Sequence, residues 1–144
     1  MTTKRMTGRE IVTKQIEAWN RHDAQGVAAG YAPNVTVLDP GYPEPLSGRD
    51  AVAKDAATFF TAFPDLVFRV TKVIEDKDTV AIEGMATGTH KGPLEAPTGV
   101  VPPTERHVEF SWAVFDDLND DGSIREERRY FDVLGQLTQL GIMQ

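Results

Sequence analysis

Apolar and polar positions recur along this chain with two different periods, and the change from one to the other divides it. Over residues 7–21, Val12, Ile16 and Trp19 fall at helical spacing, with Ile11 and Gln15 on the same side. Such a stripe belongs to an amphipathic helix lying on a core. Thr7-Gly-Arg-Glu10 has the form of a capping box, so Thr7 is the expected N-cap. Gln15, the one polar residue of the stripe, either sits solvated at its edge or points into a cavity. Asp23 opens a second, short helix through Gly30, and Tyr31-Ala-Pro33 ends it because proline cannot continue a helix. Between the two, Trp19-Asn-Arg-His22-Asp23 reads as a joint that leaves His22 exposed. Residues 35–39 read as a short strand with Asp39 at its end. Ser47-Gly-Arg-Asp50 then starts a third helix that reaches Ala62, anchored by Val52, Phe59, Phe60 and Phe63.

Beyond Leu66 the period drops to two, the signature of strands. Residues 66–74 and 79–90 flank the tight polar turn Glu75-Asp-Lys-Asp78, which makes them a hairpin. Gly84 and Gly88 lie inside the second strand and predict a strongly curved sheet. Residues 91–103, rich in proline and glycine, read as a long loop at a rim. A strand over 106–118 carries Val108, Phe110, Trp112 and Val114 on one face. The Asp-Gly turn at Asp121-Gly122 leads into a last strand over 123–132. A terminal helix over 133–143 uses Val133, Leu137 and Leu140. Helices first, then hairpin-linked strands, predict an α+β fold with helices packed on one face of a mainly antiparallel sheet.

Bulk properties narrow the function classes. At 144 residues the chain is expected to be one domain with one sizeable core. A net charge of −7 disfavours a nucleic-acid partner and docking on an anionic membrane. With no cysteine there is no disulfide, thiolate nucleophile or cysteine metal site. No apolar run approaches the roughly 20 residues of a membrane span. The first five residues lack the apolar segment of a secretory signal, so a cytoplasmic location is expected. No two histidines have metal-ligand spacing, and there is no phosphate-binding glycine loop. Neither a metal nor a cofactor is expected.

Several short motifs in a fixed order carry a resemblance. They are Phe63-Pro-Asp-Leu66, Gly88-Thr-His90-Lys-Gly92, Val101-Pro-Pro-Thr104, Asp121-Gly-Ser-Ile124 and Tyr130-Phe-Asp132-Val-Leu-Gly135, followed by Gln139-Leu-Gly141. Together they resemble the SnoaL-like polyketide cyclases, within the cone-shaped nuclear transport factor 2-like fold that also includes ketosteroid isomerase. Val35-Thr-Val-Leu-Asp39-Pro, with Glu44-Pro-Leu-Ser-Gly48, resembles the isomerase segment that holds its general base, and Asp39 falls on that base. The resemblance places Gln15 where the isomerase has a tyrosine. It finds no acid in 110–114, where the isomerase has an aspartate. Arg129 takes the place of the cyclase acid, and Asp132 matches another aspartate of that family. It also implies a homodimer formed through the open sheet face.

Candidate chemistry follows from residue type and strand period. A carbon-bound proton needs a base poised near working pH, which burial of the Asp39 carboxylate supplies. Alternatively, Asp39 is a turn residue beside Pro40. Arg125-Glu-Glu-Arg-Arg129 places five charges in a strand expected inside the sheet. Unpaired buried charge is costly, so one face of that strand lines a polar cavity, meets a partner subunit or is wet. One face holds Glu127, Arg129 and Phe131; the other holds Glu126, Arg128, Tyr130 and Asp132. The catalytic candidates are Asp39, His90, Tyr130 and Asp132. The expected pocket wall is Gln15, Trp19, Tyr31, Phe59, Phe63, Trp112, Glu127, Arg129 and Phe131. The function expected is cofactor-independent isomerisation, cyclisation, hydration or dehydration of a small hydrophobic carbonyl compound. A ligand-binding protein without catalysis is the alternative.

Overall fold

The computed structural model describes residues 6–142. Helix α1 (Gly8–Asn20) begins at the expected capping box: the Glu10 N–H donates to Thr7 Oγ1 at 3.1 Å, and Glu10 Oε1 accepts from the Thr7 N–H at 3.2 Å. Helix α2 (Ala24–Ala29) is capped by Asp23, which accepts from the Gly26 N–H. His22, expected to be exposed, is half-buried: it adopts φ 57°, stacks on Phe60 at 4.5 Å and bonds the Leu66 carbonyl. Strand β1 (Tyr31–Leu38) starts at once, so Tyr31-Ala-Pro33 opens a strand as well as closing a helix. Pro33 is tolerated because the pairing is irregular between Tyr31 and Thr36.

Ser47 does not cap the third helix. It pairs with Thr36 in the two-residue strand β2 (Leu46–Ser47), which keeps its backbone extended. Gly48, at φ 86°, makes the left-handed step into α3 (Arg49–Ala62) without any side-chain cap bond. Strands β3 (Val67–Asp76) and β4 (Thr79–Thr89) form the expected hairpin. The segment read as a plain loop contains a small hairpin, β5 (Leu94–Ala96) with β6 (Gly99–Val101). Strands β7 (His107–Leu118) and β8 (Ile124–Phe131) follow, and α4 (Val133–Gln139) ends the described part. The expected helix end at Met143 lies outside the described residues.

The large sheet has the order β2-β1-β8-β7-β4-β3, antiparallel except for β1 beside β8. Register shifts at Val70/Lys72 and Asp117/Leu118 bend it. Gly84 lies in the strand opposite the first shift. A Cβ there would come within 2.0 Å of the Arg69 carbonyl oxygen and 2.7 Å of the Trp112 ring, so only glycine fits between the bent strand and the indole. Helices α1 and α3 cover the concave face, burying Val12, Ala18, Val52 and Ala56 against Val35, Val37, Val80 and Ile82. A second cluster of Ala62, Phe63, Leu66, Val108 and Leu140 closes one end. Among the described residues no helix is long and apolar enough to cross a membrane.

Candidate active site

Period two carries the inner face of β7 past its apolar residues. Trp112 and Val114 point inward, and so does Asp116, two residues further on. Each lies opposite an inward residue of β8: Trp112 opposite Phe131, Val114 opposite Arg129 and Asp116 opposite Glu127. The sheet therefore offers an apolar wall that turns ionic at one end. Between it and the helices lies a cavity of about 150 Å3, lined largely by aliphatic and aromatic side chains. Gln15, Trp19, Phe59, Phe63, Trp112, Glu127, Arg129 and Phe131 all reach it, as does Asp39. Tyr31, expected in the wall, lies beneath it with no exposed surface, its hydroxyl donating to Glu127 at 2.8 Å.

Arg129 organises the ionic end. Its Nη1 donates to Asp39 at 3.0 Å and to Asp55 at 2.8 Å, and its Nε donates to Glu127 at 2.8 Å. Its guanidinium lies 5.7 Å from the Trp19 ring centroid, within cation–π range. The arginine side chain is 10% exposed and its three carboxylate partners are 6% or less. Burial works against the charge of Arg129, but the surrounding carboxylates hold its proton firmly. Burial also pushes Glu127 up, yet Arg129, Asp116 and the Tyr31 hydroxyl bring it below the usual carboxylate range. Tyr42, on the proline-rich turn, donates to Asp55 at 2.6 Å and ties that turn over the cluster.

Asp39 is both a turn residue and a cavity residue. Its Oδ1 accepts the Gly41 N–H at 2.7 Å and its Oδ2 accepts from Arg129. Burial raises its pKa, while Arg129 and the Gly41 N–H oppose that rise. Gln15 points inward rather than lying at the edge: it is buried, and its amide donates to the Val27 carbonyl at 2.8 Å.

The other catalytic candidates stand apart from this centre. Tyr130 is 54% exposed on the convex face, where it packs edge-on against Phe115. Period two puts it there once Arg129 points inward. Asp132 is exposed and caps α4 by accepting the Gly135 N–H. His90 is wholly buried but does not line the cavity. Its Nδ1 accepts the Thr104 N–H, tying the end of β4 to the segment before β7, and burial lowers its pKa.

Two cluster members were absent from the sequence reading, Asp55 and Asp116. Asp55 follows Val52 by three residues and precedes Phe59 by four, so it lies on the apolar stripe of α3. Asp116 continues the inward series of Trp112 and Val114 just past 110–114, the stretch that has no acid. Among the described residues no group of histidines and carboxylates has the arrangement of a metal site.

The fold and much of the sequence have counterparts. AclR, a candidate hydroxylase from Streptomyces galilaeus, is 25% identical with a TM-score of 0.78, over 93% of this chain and 80% of its own. IdmH, a candidate polyketide cyclase from Streptomyces antibioticus, is 26% identical with a TM-score of 0.76, over 94% of this chain and 99% of its own. SalBIII, described as an epoxide hydrolase/cyclase-like enzyme in pyran ring formation, is 19% identical with a TM-score of 0.73, over 89% of this chain and 92% of its own. A search of curated protein sequences finds no match. A family model covers residues 9–140, nearly the full length, and by that match this chain belongs to the SnoaL-like polyketide cyclase family.

Proposed function

We propose that this protein is a cofactor-independent acid/base enzyme acting on a small hydrophobic carbonyl compound, polyketide-like in chemistry, by isomerisation, cyclisation, hydration or dehydration. The observation that carries this reading is Asp39: a carboxylate in the wall of an apolar cavity, raised toward working pH by burial and oriented by Arg129. Family membership and the likeness to IdmH support the reaction class. Asp39 takes the proton. Arg129 keeps its carboxylate aimed at the cavity, and Trp19, Phe59 and Phe63 hold the hydrocarbon part of the substrate. The test is turnover of a panel of ketosteroid and polyketide-like ketones by the wild type and by Asp39→Asn. Loss of a general base lowers the rate by about 10²–10⁴-fold. Equal turnover by the variant would remove Asp39 from the mechanism.

One observation favours a second reading, a ligand-binding protein without catalysis. Both oxygens of Asp39 already accept hydrogen bonds, and those bonds reduce its basicity. Tight binding of the panel by calorimetry, with no turnover of any member, would favour this reading.

We also propose a homodimer built on the convex face. Ile74, Phe115 and Tyr130 are exposed there, beside an ion-paired group of Arg128, Asp117 and Glu126. A face that mixes apolar surface with both charge signs suits a second copy better than a partner of one charge. Analytical ultracentrifugation should show a dimer that Tyr130→Glu weakens; a monomeric wild type would refute it.

A further inference from the structure

Most acids at the ionic end have donors turned to them. Asp39 accepts from the Gly41 N–H and from Arg129. Asp55 accepts from the Tyr42 hydroxyl and from Arg129. Glu127 accepts from the Tyr31 hydroxyl and from Arg129. Asp116 differs. It shares a hydrogen bond with Glu127, yet its Oδ1 is buried with no partner among the described residues. The residue is 1% exposed and its side chain lines the cavity.

We propose that this cavity takes an organic cation, a hydrophobic amine whose ammonium group donates to Asp116 Oδ1 while its hydrocarbon part lies along the aromatic wall. The proposal rests on the reading above for the cavity as the ligand site and adds a basic nitrogen to the ligand. Its test measures binding and not turnover, so the two can fail separately.

A count of charges carries the argument. Asp39, Asp55 and Glu127 already share one guanidinium, that of Arg129, and Asp116 is a fourth acid beside them. Buried negative charge in such excess must be offset by a proton or by a cation. In the protein alone the offset is a proton on Asp116. Burial first and then Glu127 raise its pKa well above the usual range, Asp117 adds to the rise, and Arg129 opposes it. The elements around it bring no second cation. Strand β4 sets Val80 opposite Asp116, β1 brings the Tyr31 hydroxyl, α1 brings Val12, Gln15 and Ile16, and α3 brings Asp55. An ammonium at Oδ1 takes the place of that proton. As it binds, the Asp116 proton leaves to solvent and a carboxylate–ammonium pair remains, so the net charge of the site is unchanged. A neutral hydroxyl can also donate to Oδ1, but it replaces no charge.

The rest of the wall suits a carbon-bearing cation better than a metal ion. Among the described residues no group of histidines and carboxylates is arranged as a metal site. Phe68, Phe110, Trp112 and Phe131 line the cavity instead, and aromatic rings both bury hydrocarbon and attract cations. A cavity of about 150 Å3 holds roughly one six-membered ring. Trp112 Nε1 and Arg129 Nη2 are also buried without partners among the described residues, and both can only donate. They leave room on the same molecule for an acceptor oxygen.

Calorimetry with cyclohexylamine, a cation at neutral pH, against cyclohexanol, its neutral analogue, tests this on the wild type alone. We expect a single site that holds the amine about 10-fold or more tighter, the gain from a hydrogen bond to a charged group. Amine heats measured in phosphate and in MOPS, buffers of different ionisation heat, should report release of a proton; cyclohexanol should release none. Equal affinity for the two probes, or amine binding without proton release, overturns the proposal. Methylamine carries the charge without the ring and should bind far more weakly. If it binds as well as cyclohexylamine, the attraction is to the acidic surface and the proposal fails. Asp116→Asn should abolish both the preference for the amine and the proton release; a variant that keeps them refutes the assignment. Loss of the preference in Asp39→Asn with none in Asp116→Asn would move the cation to Asp39 and refute it as well.

Discussion

Strand β8 carries the same chemistry on both faces with opposite consequences. Inward, Arg129 bonds Asp39, Asp55 and Glu127; outward, Arg128 bonds Asp117 at 2.8 Å and Glu126 at 2.5 Å. The distances are alike. The solvent is not: the outer arginine side chain is 26% exposed and Glu126 is 41% exposed, against 10% and 6% or less inside. Water screens the outer pairs, so they stabilise little. The inner group has given up its hydration and relies on its internal bonds alone. An ion pair's value is thus set by where its strand face points.

Four measurements bear on that contrast. Arg129→Met should have the largest effect, because it strands several buried carboxylates: a loss of about 3–5 kcal/mol in urea unfolding, lessened at low pH where the carboxyls gain protons. A loss below about 1 kcal/mol would place the inner group in the same class as the outer one. Tyr31→Phe, which removes one donor from Glu127, should cost about 1.5–3 kcal/mol, the range for hydrogen bonds to charged groups.

The third measurement concerns pH. Asp116 and Asp39 hold protons more tightly folded than unfolded. Their contribution to stability is full below the unfolded carboxylate range near about pH 4 and is lost as pH rises through their folded values. Glu127 acts in the opposite sense, stabilising above that range and losing its contribution as pH falls. Asp116→Asn should therefore flatten the decline of the unfolding free energy with rising pH, measured in urea, by at most about 1.4 kcal/mol per pH unit. A slope equal to wild type would mean that Asp116 titrates normally. The smallest effect is expected at Arg128→Ala, about 0.2–1 kcal/mol, vanishing at about 1 M salt, where the screening length falls to about 3 Å.

The helices and long strands were legible because each rests on local signals: the Thr7–Glu10 box, the Asp-Gly turn and the apolar alternation of β7. What was not legible depended on partners distant in sequence. Ser47 looked like a cap, and only its pairing with Thr36 shows otherwise. The hairpin within 91–103 pairs three residues with three and shows no alternation strong enough to read. At the site, Asp39 and both faces of β8 were readable from motif and period, but the choice between the faces was not. That choice comes from the sheet order, which puts β8 between β1 and β7 with Arg129 toward the helices. Tyr130 falls on the outer face for this reason, whereas Asp132 lies past the end of β8, where it caps α4. Asp55 and Asp116 were passed over because an acid within an apolar stripe reads as a break in the pattern, although here it marks a buried role.

The parallel pairing of β1 with β8 also sets the order in which the site can be assembled. Asp39 lies 90 residues before Arg129, and Tyr31 lies 96 before Glu127. On a ribosome, Asp39 and Asp55 emerge and join their strand and helix while Arg129, the guanidinium that bonds both, is still unmade. Contacts this distant in sequence form late and slowly. Until β8 is synthesised and inserted, those acids lack their cation, and burying them as carboxylates is costly. Closing the cavity and completing its charge balance are therefore one event, the arrival of the last strand.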